Sequence, residues 1–281
     1  MALFDRKDRE EDESAKETEI ERSIRALGSK DWEKRQEAAI RLSGAGKPAI
    51  VHLLKALNDD NALIRTGAAE ILGTYGEPAI PTLMKLLVTG KERVRDGAAR
   101  AIGQNGEKAI NPLKEALESD IYKSRRGAAL ALGYLDYLGN EITQLLVQAL
   151  LDKNQEVSRQ AALSLSNMKW VPANNRQAAL FFYGLEDYEK LSKTGKDGVI
   201  VLSADLKNPD PKTRKKVAQT LKKINSDDAA KPLTDDAAKP LTVLANDSDA
   251  GVRHAAIEAI GEIKDPRLLP YLVKALDDED P

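Results

Sequence analysis

Arginine recurs at positions 35, 65, 95 and 125, a spacing of 30 residues each time. A guanidinium is planar, always charged and shaped to fork onto carboxylate or phosphate, so a row of them could hold an anionic ligand. Each arginine begins the same kind of stretch, of which Val94-Arg95-Asp96-Gly97-Ala98-Ala99-Arg100-Ala101-Ile102-Gly103 is the clearest copy. A fixed period of this length marks a stacked array of helical units, where a side chain repeated at one place serves architecture first. Acids stand shortly before these arginines: Asp31, Asp59, Asp60, Asp120, Asp210 and Asp249. Arg35, Arg65, Arg95, Arg125 and Arg253 are therefore expected to form a structural ladder of charge-assisted hydrogen bonds between repeats.

Other chemistry finds little support. Cysteine is absent, which removes disulfides and thiolate metal sites. His52 and His254 are the two histidines, about 200 residues apart, and neither is followed by Glu. No Walker-type Gly-Lys-Ser/Thr loop, Gly-x-Gly-x-x-Gly fingerprint or Gly-x-Ser-x-Gly elbow occurs. No catalytic, metal-binding or cofactor-binding residue is assigned, and no cofactor is expected.

The elements that would position the arginines follow from the apolar spacing. In the stretch above, Val94, Ala98, Ala101 and Ile102 fall on one helical stripe, and the Asn105-Gly106 pair permits a stop at positive φ. This is helix A of a repeat. Helix B starts near Pro or Glu, as at Lys47-Pro48 and Glu77-Pro78, and runs through Ile50, Leu53, Leu54 and Leu57, or Ile80, Leu83, Met84 and Leu87. Neither helix can bury its stripe alone, so pairs must stack. Gly97 and Ala98 suggest close helix contact. The composition, 42% hydrophobic and only 4% aromatic, suits many thin amphipathic helices.

On this register, pairs occupy about 31–58, 61–89, 91–119 and 121–152, and a fifth A helix carries Val157, Ala161, Ala162, Leu165 and Met168. The period then fails over 169–196, which holds Trp170, Phe181, Phe182, Tyr183 and Tyr188, five of the chain's twelve aromatics. One or two extra helices are expected there, as a packed insert or a specificity element. Helix B resumes over 197–207, and a sixth A helix spans 210–224. Asp227 to Thr234 then repeats letter for letter as Asp235 to Thr242, a tandem duplication within 227–242 near the start of a B helix. Val252 to Gly261 and Pro266 to Leu276 form the seventh pair. Residues 1–13 read as a disordered charged tail, 14–277 as one solenoid beginning with a capping helix (Ile20, Ile24, Leu27), and 278–281 as an acidic tail.

No window approaches the ~18 apolar residues of a membrane span. The charged N-terminus lacks a signal-peptide core, so a cytoplasmic protein is expected. Residues 23–276 hold 32 acids and 38 bases between acidic ends, a mild excess far from that of most nucleic-acid binders.

Val252-Arg253-His254-Ala255-Ala256-Ile257-Glu258-Ala259-Ile260-Gly261 and Asp265-Pro266-Arg267-Leu268-Leu269-Pro270-Tyr271-Leu272 resemble HEAT-like repeats of the phycobilisome-lyase class. The resemblance implies an all-α, right-handed α-solenoid of about seven pairs, A helices convex and B helices concave, mostly serving as prokaryotic binding scaffolds. Deoxyhypusine hydroxylases bind iron through His-Glu pairs on such a scaffold, and those pairs are absent here.

The expected function is a non-catalytic scaffold or adaptor gripping a protein partner along the concave face. Its candidate residues are Val51, His52, Lys55, Thr82, Lys85, Asn111, Glu115, Gln148, Tyr271 and Lys274. Two alternatives stay open. One is a lyase-like or accessory subunit handling a prosthetic group. The other is nucleic-acid binding through the basic patch 207–223 (Lys207, Lys212, Arg214, Lys215, Lys216, Lys222, Lys223).

Overall fold

The computed structural model describes residues 19–135, 139–227, 235–263 and 265–280. The expected tail 1–13, the helix start at Ser14 and most of the first duplicated copy lie outside these residues. Among them the protein is all-α, with no strand. It divides into two compact units, Met1–Lys169 and Trp170–Pro281.

The first unit contains α1 (19–26), α2 (Trp32–Ala45), α3 (Lys47–Ala56), α4 (Ala62–Thr74), α5 (Ile80–Thr89), α6 (Glu92–Gly103), α7 (Ile110–Leu117), α8 (Tyr122–Leu132), α9 (Asn140–Ala149) and α10 (Gln155–Asn167). The A helices α2, α4, α6, α8 and α10 form a row in which each packs on the next, with B helices packed against them. Their predicted stripes are the core: Ala98, Ala101, Ile102, Ala161, Ala162 and Leu165 are fully buried, as are Leu53, Leu57, Leu83 and Leu87 on the B side. The turns between A and B repeat too. Gly76 and Gly106 sit at φ +73° and +61°, where a side chain would be strained.

Close contact falls at one register position. A Cβ on Gly67 would stand 3.2 Å from Leu27, one on Gly97 2.8 Å from Leu57, and one on Gly127 2.6 Å from Leu87. The last leucine of a B helix seats in a notch on an A helix 40 residues later, three times over. Leu27 directly follows α1 as Leu57 directly follows α3, so α1 packs as the second half of a repeat and caps the row.

The second unit contains α11 (Asn175–Gly184), α12 (Tyr188–Ser192), α13 (Lys196–Leu202), α14 (Pro211–Asp227), α15 (Asp235–Leu244), α16 (Ala250–Ile263) and α17 (Leu269–Ala275). The two helices of the aperiodic stretch, α11 and α12, pack on α13 and α14. The second duplicated copy lies within α15, which therefore starts the B helix. No helix among the described residues is long and apolar enough to cross a membrane.

Candidate functional site

The ladder arginines share one geometry. From the first turn of an A helix, each guanidinium reaches back to the carbonyls that end the preceding B helix. Arg35 donates to Ser29 and Lys30 oxygens at 2.8 and 3.0 Å, and Arg65 to Asp59 and Asp60 at 2.7 and 2.8 Å. Arg95 donates to Gly90 at 2.8 Å. Arg125 and Arg253 do the same to Ser119 and Asp120, and to Asp247 and Ser248. Arg214, which the sequence places in a basic patch, is a further rung, bonded to Asn208 and Pro209 oxygens.

The expected carboxylate partners are corrected. Of the acids just upstream of the arginines, Asp31, Asp210 and Asp249 cap their own helices, accepting from the Glu33, Lys212 and Val252 N–H groups, while Asp59 accepts from the N–H of Asn61, the residue that caps α4. The ladder carboxylates come instead from the next turn along the chain. Asp152 takes Arg125 in a two-pronged bond at 2.6 and 2.9 Å, Asp247 takes Arg214 at 2.6 and 2.6 Å, and Asp278 takes Arg253 at 2.7 and 2.7 Å. Asp278 and Asp280, read from the sequence as part of an acidic tail, close the last rung. Burial pushes the Asp152 carboxyl up, but Arg125 and the Asn154 N–H outweigh it and hold it below the usual range. Arg214 likewise lowers Asp247, and Arg253 lowers Asp278 to about 2.

In the first unit a groove of about 880 Å³ crosses α4, α6, α8 and α10. Six arginines line it (Arg65, Arg93, Arg95, Arg100, Arg126, Arg159) against three acids (Glu92, Asp96, Glu156). Several are engaged with one another or nearby: Arg93 with Asp60 at 3.1 Å, Arg126 with Glu156, and Arg100 with Asp96 at 3.6 Å. Arg100 also lies over the Tyr134 ring, whose hydroxyl donates to Asp96 at 2.5 Å. Burial, with that bond, raises the Tyr134 hydroxyl to about 12. Gly97 and Gly127 also line the groove, where small residues leave a depression between long arginine stems.

The ten residues expected on the B helices lie on α3, α5, α7, α9 and α17. Val51, Lys55, Thr82, Lys85, Asn111, Glu115, Gln148 and Lys274 are exposed, and His52 and Tyr271 are half-buried. None of the eight in the first unit lines the groove. Tyr271 and Lys274 line a smaller hollow of about 630 Å³ in the second unit, with Arg253. The groove was hidden from sequence reasoning because the A helices were expected to be the convex row.

The aromatic stretch is engaged in packing. Phe181 is buried, edge-on to Trp170 with centroids 5.3 Å apart. Phe182, Tyr183 and Tyr188 pack on the core of the second unit. The Tyr183 hydroxyl donates to buried Asp205 at 2.8 Å, and burial with that bond raises its pKa strongly. The basic patch is dispersed. Arg214 holds Asp247, Lys222 meets Glu258 and Glu262, Lys223 meets Glu189, and Lys216 lies over the Tyr188 ring. Lys207, Lys212 and Lys215 remain exposed. Among the described residues no three His, Asp or Glu side chains could hold a metal.

Comparison with known proteins agrees with the repeat geometry. A family model described as HEAT repeats matches residues 50–133 and 201–281, more than half the chain. Similar solved structures include human deoxyhypusine hydroxylase in complex with glycerol (22% identity, 89% of this chain, 98% of that one, TM-score 0.30). The YibA protein of Escherichia coli is similar at 20% identity (92% and 87%, TM-score 0.31). The complex of CpcE and CpcF of phycocyanin lyase from Nostoc is similar at 19% (90% and 92%, TM-score 0.27). No curated protein matches the chain in sequence. With its 30-residue period, its notched A helices and its arginine ladder, the chain belongs to the HEAT-repeat family.

Proposed function

We propose that this protein is a non-catalytic interaction module, a scaffold or adaptor that holds a protein partner across its repeated helices. The observation that carries the reading is the groove over four consecutive A helices of the first unit, lined by both charge signs together with apolar groups such as Leu130 and Leu163. An extended surface built from successive repeats is how a solenoid presents binding area. The exposed B-helix row offers a second surface of the same kind, with Lys55 and Lys85 one period apart.

Capture of a partner from the native host by the immobilised full chain tests the reading. Gln160→Trp, which fills the groove without touching the ladder, is expected to abolish capture. Lys55→Glu with Lys85→Glu is expected to leave it intact; the reverse pattern moves the interface to the B row. A coloured purified protein, or a small molecule retained in native mass spectrometry, would count against the reading and for prosthetic-group handling.

A further inference from the structure

The ladder is filled unevenly. In three rungs the guanidinium grips an aspartate of the next inter-repeat turn: Asp152, Asp247 or Asp278. Asp247 stands six residues before the next ladder arginine, Arg253. At the same place, six before Arg95 and six before Arg125, stand Thr89 and Ser119. Arg65 and Arg95 have only backbone carbonyls, each bonded through one terminal nitrogen; Arg35 is bonded in the same way, although Asp59 stands six before Arg65, but Arg35 does not line the groove. Among the described residues no carboxylate lies within ion-pair distance of either, and their remaining N–H groups have no partner. Both are half-buried and both line the groove, whereas Arg125, whose rung is filled, does not.

We infer that Arg65 and Arg95 are vacant rungs that take two carboxylates of an acidic, extended segment of a partner protein, each in the two-pronged manner in which Arg125 takes Asp152. This rests on the groove being the interaction surface. Charge complementarity favours discrete carboxylates over a nucleic-acid backbone, because Glu92, Asp96 and Glu156 line the same groove and would repel a continuous run of phosphates. Packed helices lie about 8–10 Å apart. A polyproline-type segment rises about 3.1 Å per residue with three residues per turn, so acids at i and i+3 would meet successive rungs from one side.

The test is fluorescence polarisation of labelled proline-rich peptides on the full chain, one carrying Glu-x-x-Glu and its control Gln-x-x-Gln. Thr89→Asp and Ser119→Asp supply the missing intramolecular carboxylates. Each is expected to weaken binding of the acidic peptide at least about tenfold, and together to abolish it. The control peptide is expected not to bind. Should either variant fail to fold, Arg65→Lys with Arg95→Lys keeps the charge but removes the fork, and the same loss is expected. Unchanged affinity in the double variant, or equal binding of both peptides, overturns the inference. So does a short single-stranded RNA that binds where the peptide does not and is released by the double variant. A partner still captured by the double variant but lost with Gln160→Trp would leave the groove as the interface and reject its acidic ligand. Capture surviving both would reject the groove itself.

Discussion

Two residues after the ladder arginine, three consecutive A helices of the first unit carry glycine, at 67, 97 and 127; the second unit has Lys216 and Ala255 there. One period thus joins its repeats in two ways. In the first unit a leucine enters a glycine notch and the helices approach closely, leaving the arginine rungs at 65 and 95 without carboxylates. In the second, larger side chains stand in that place, and both rungs are closed by aspartates while Tyr183, Phe182 and Tyr188 pack against the core. Close backbone packing and a carboxylate rung are two separate means of joining repeats. Arg125 is the instructive mixture, with a notch at Gly127 and a filled rung.

The largest effect is expected where that mixture is broken. Asp152→Ala leaves the Arg125 side chain, 8% exposed, facing a void in place of its ion pair. A loss of about 3–5 kcal/mol is expected. The two tryptophans make this measurable by unit: Trp32 lies in the first and Trp170 in the second. In a Trp170→Phe background, denaturant unfolding followed by Trp32 emission should show the whole loss. A change below about 1 kcal/mol would mean that the rung adds nothing to the notch.

The notches themselves rank next. Gly127→Ala sets a methyl 2.6 Å from the Leu87 Cβ, an atom that cannot turn away, and should cost about 1–3 kcal/mol. At Gly67 the nearest atom is a Leu27 methyl at 3.2 Å, which can shift. There alanine's lower unfolded-state entropy should leave the change near zero or stabilising by about 0.5 kcal/mol. Gly97, against a Leu57 methyl at 2.8 Å, belongs between them. Equal effects at all three would dissolve the distinction between backbone-close and side-chain-close joints.

The repeats, the stripes, the cap and the break at 169 were legible because each rests on spacing, and helical periodicity survives in sequence. Which acid faces which arginine was not. An acid directly before a helix start is captured by the helix's own N–H groups, as Asp31 and Asp210 are, so nearness in sequence misdirects the pairing. A partial signal is the acid two residues before a helix cap, Asp152 before Asn154 and Asp247 before Asp249, where Thr89 and Ser119 stand in other repeats; Asp59 stands there too, yet Arg35 bonds only backbone carbonyls. Arg214 was missed as a rung because a cluster of lysines around it suggested a patch. The groove was invisible for another reason: it depends on how far arginine stems stand above glycines on neighbouring helices, which no single stretch encodes.

Acid separates the filled rungs from the vacant ones. Asp247 and Asp278 titrate below their ordinary value of 3.8, Asp278 at about 2, because Arg214 and Arg253 favour the charged forms. A depressed carboxylate adds stability above its unfolded pKa and loses it as pH falls through the folded value. The second unit, followed by Trp170 emission in a Trp32→Phe background, should therefore weaken between about pH 4 and pH 2. Asp278→Asn should remove part of that dependence. A slope identical to wild type would show that the last rung is not closed in solution.

The smallest effect is the most discriminating. Thr89→Asp and Ser119→Asp would each complete a rung, yet each sets an acid near the C-terminal end of a B helix, α5 or α7, where the dipole opposes it by about 0.3–1 kcal/mol. Asp152 accepts the same penalty just beyond α9, because Arg125 offsets it. The single variants should thus lie close to wild type in Tm. The informative quantity is the coupling in a double-mutant cycle, Ser119→Asp with Arg95→Met, which removes the dipole term common to both backgrounds. A favourable coupling of up to about 1 kcal/mol is expected near neutral pH, fading below about pH 4 as the new carboxylate protonates. Zero coupling would mean that Thr89 and Ser119 are not where the missing aspartates would stand, and Arg65 and Arg95 would then be ordinary turn-binding arginines.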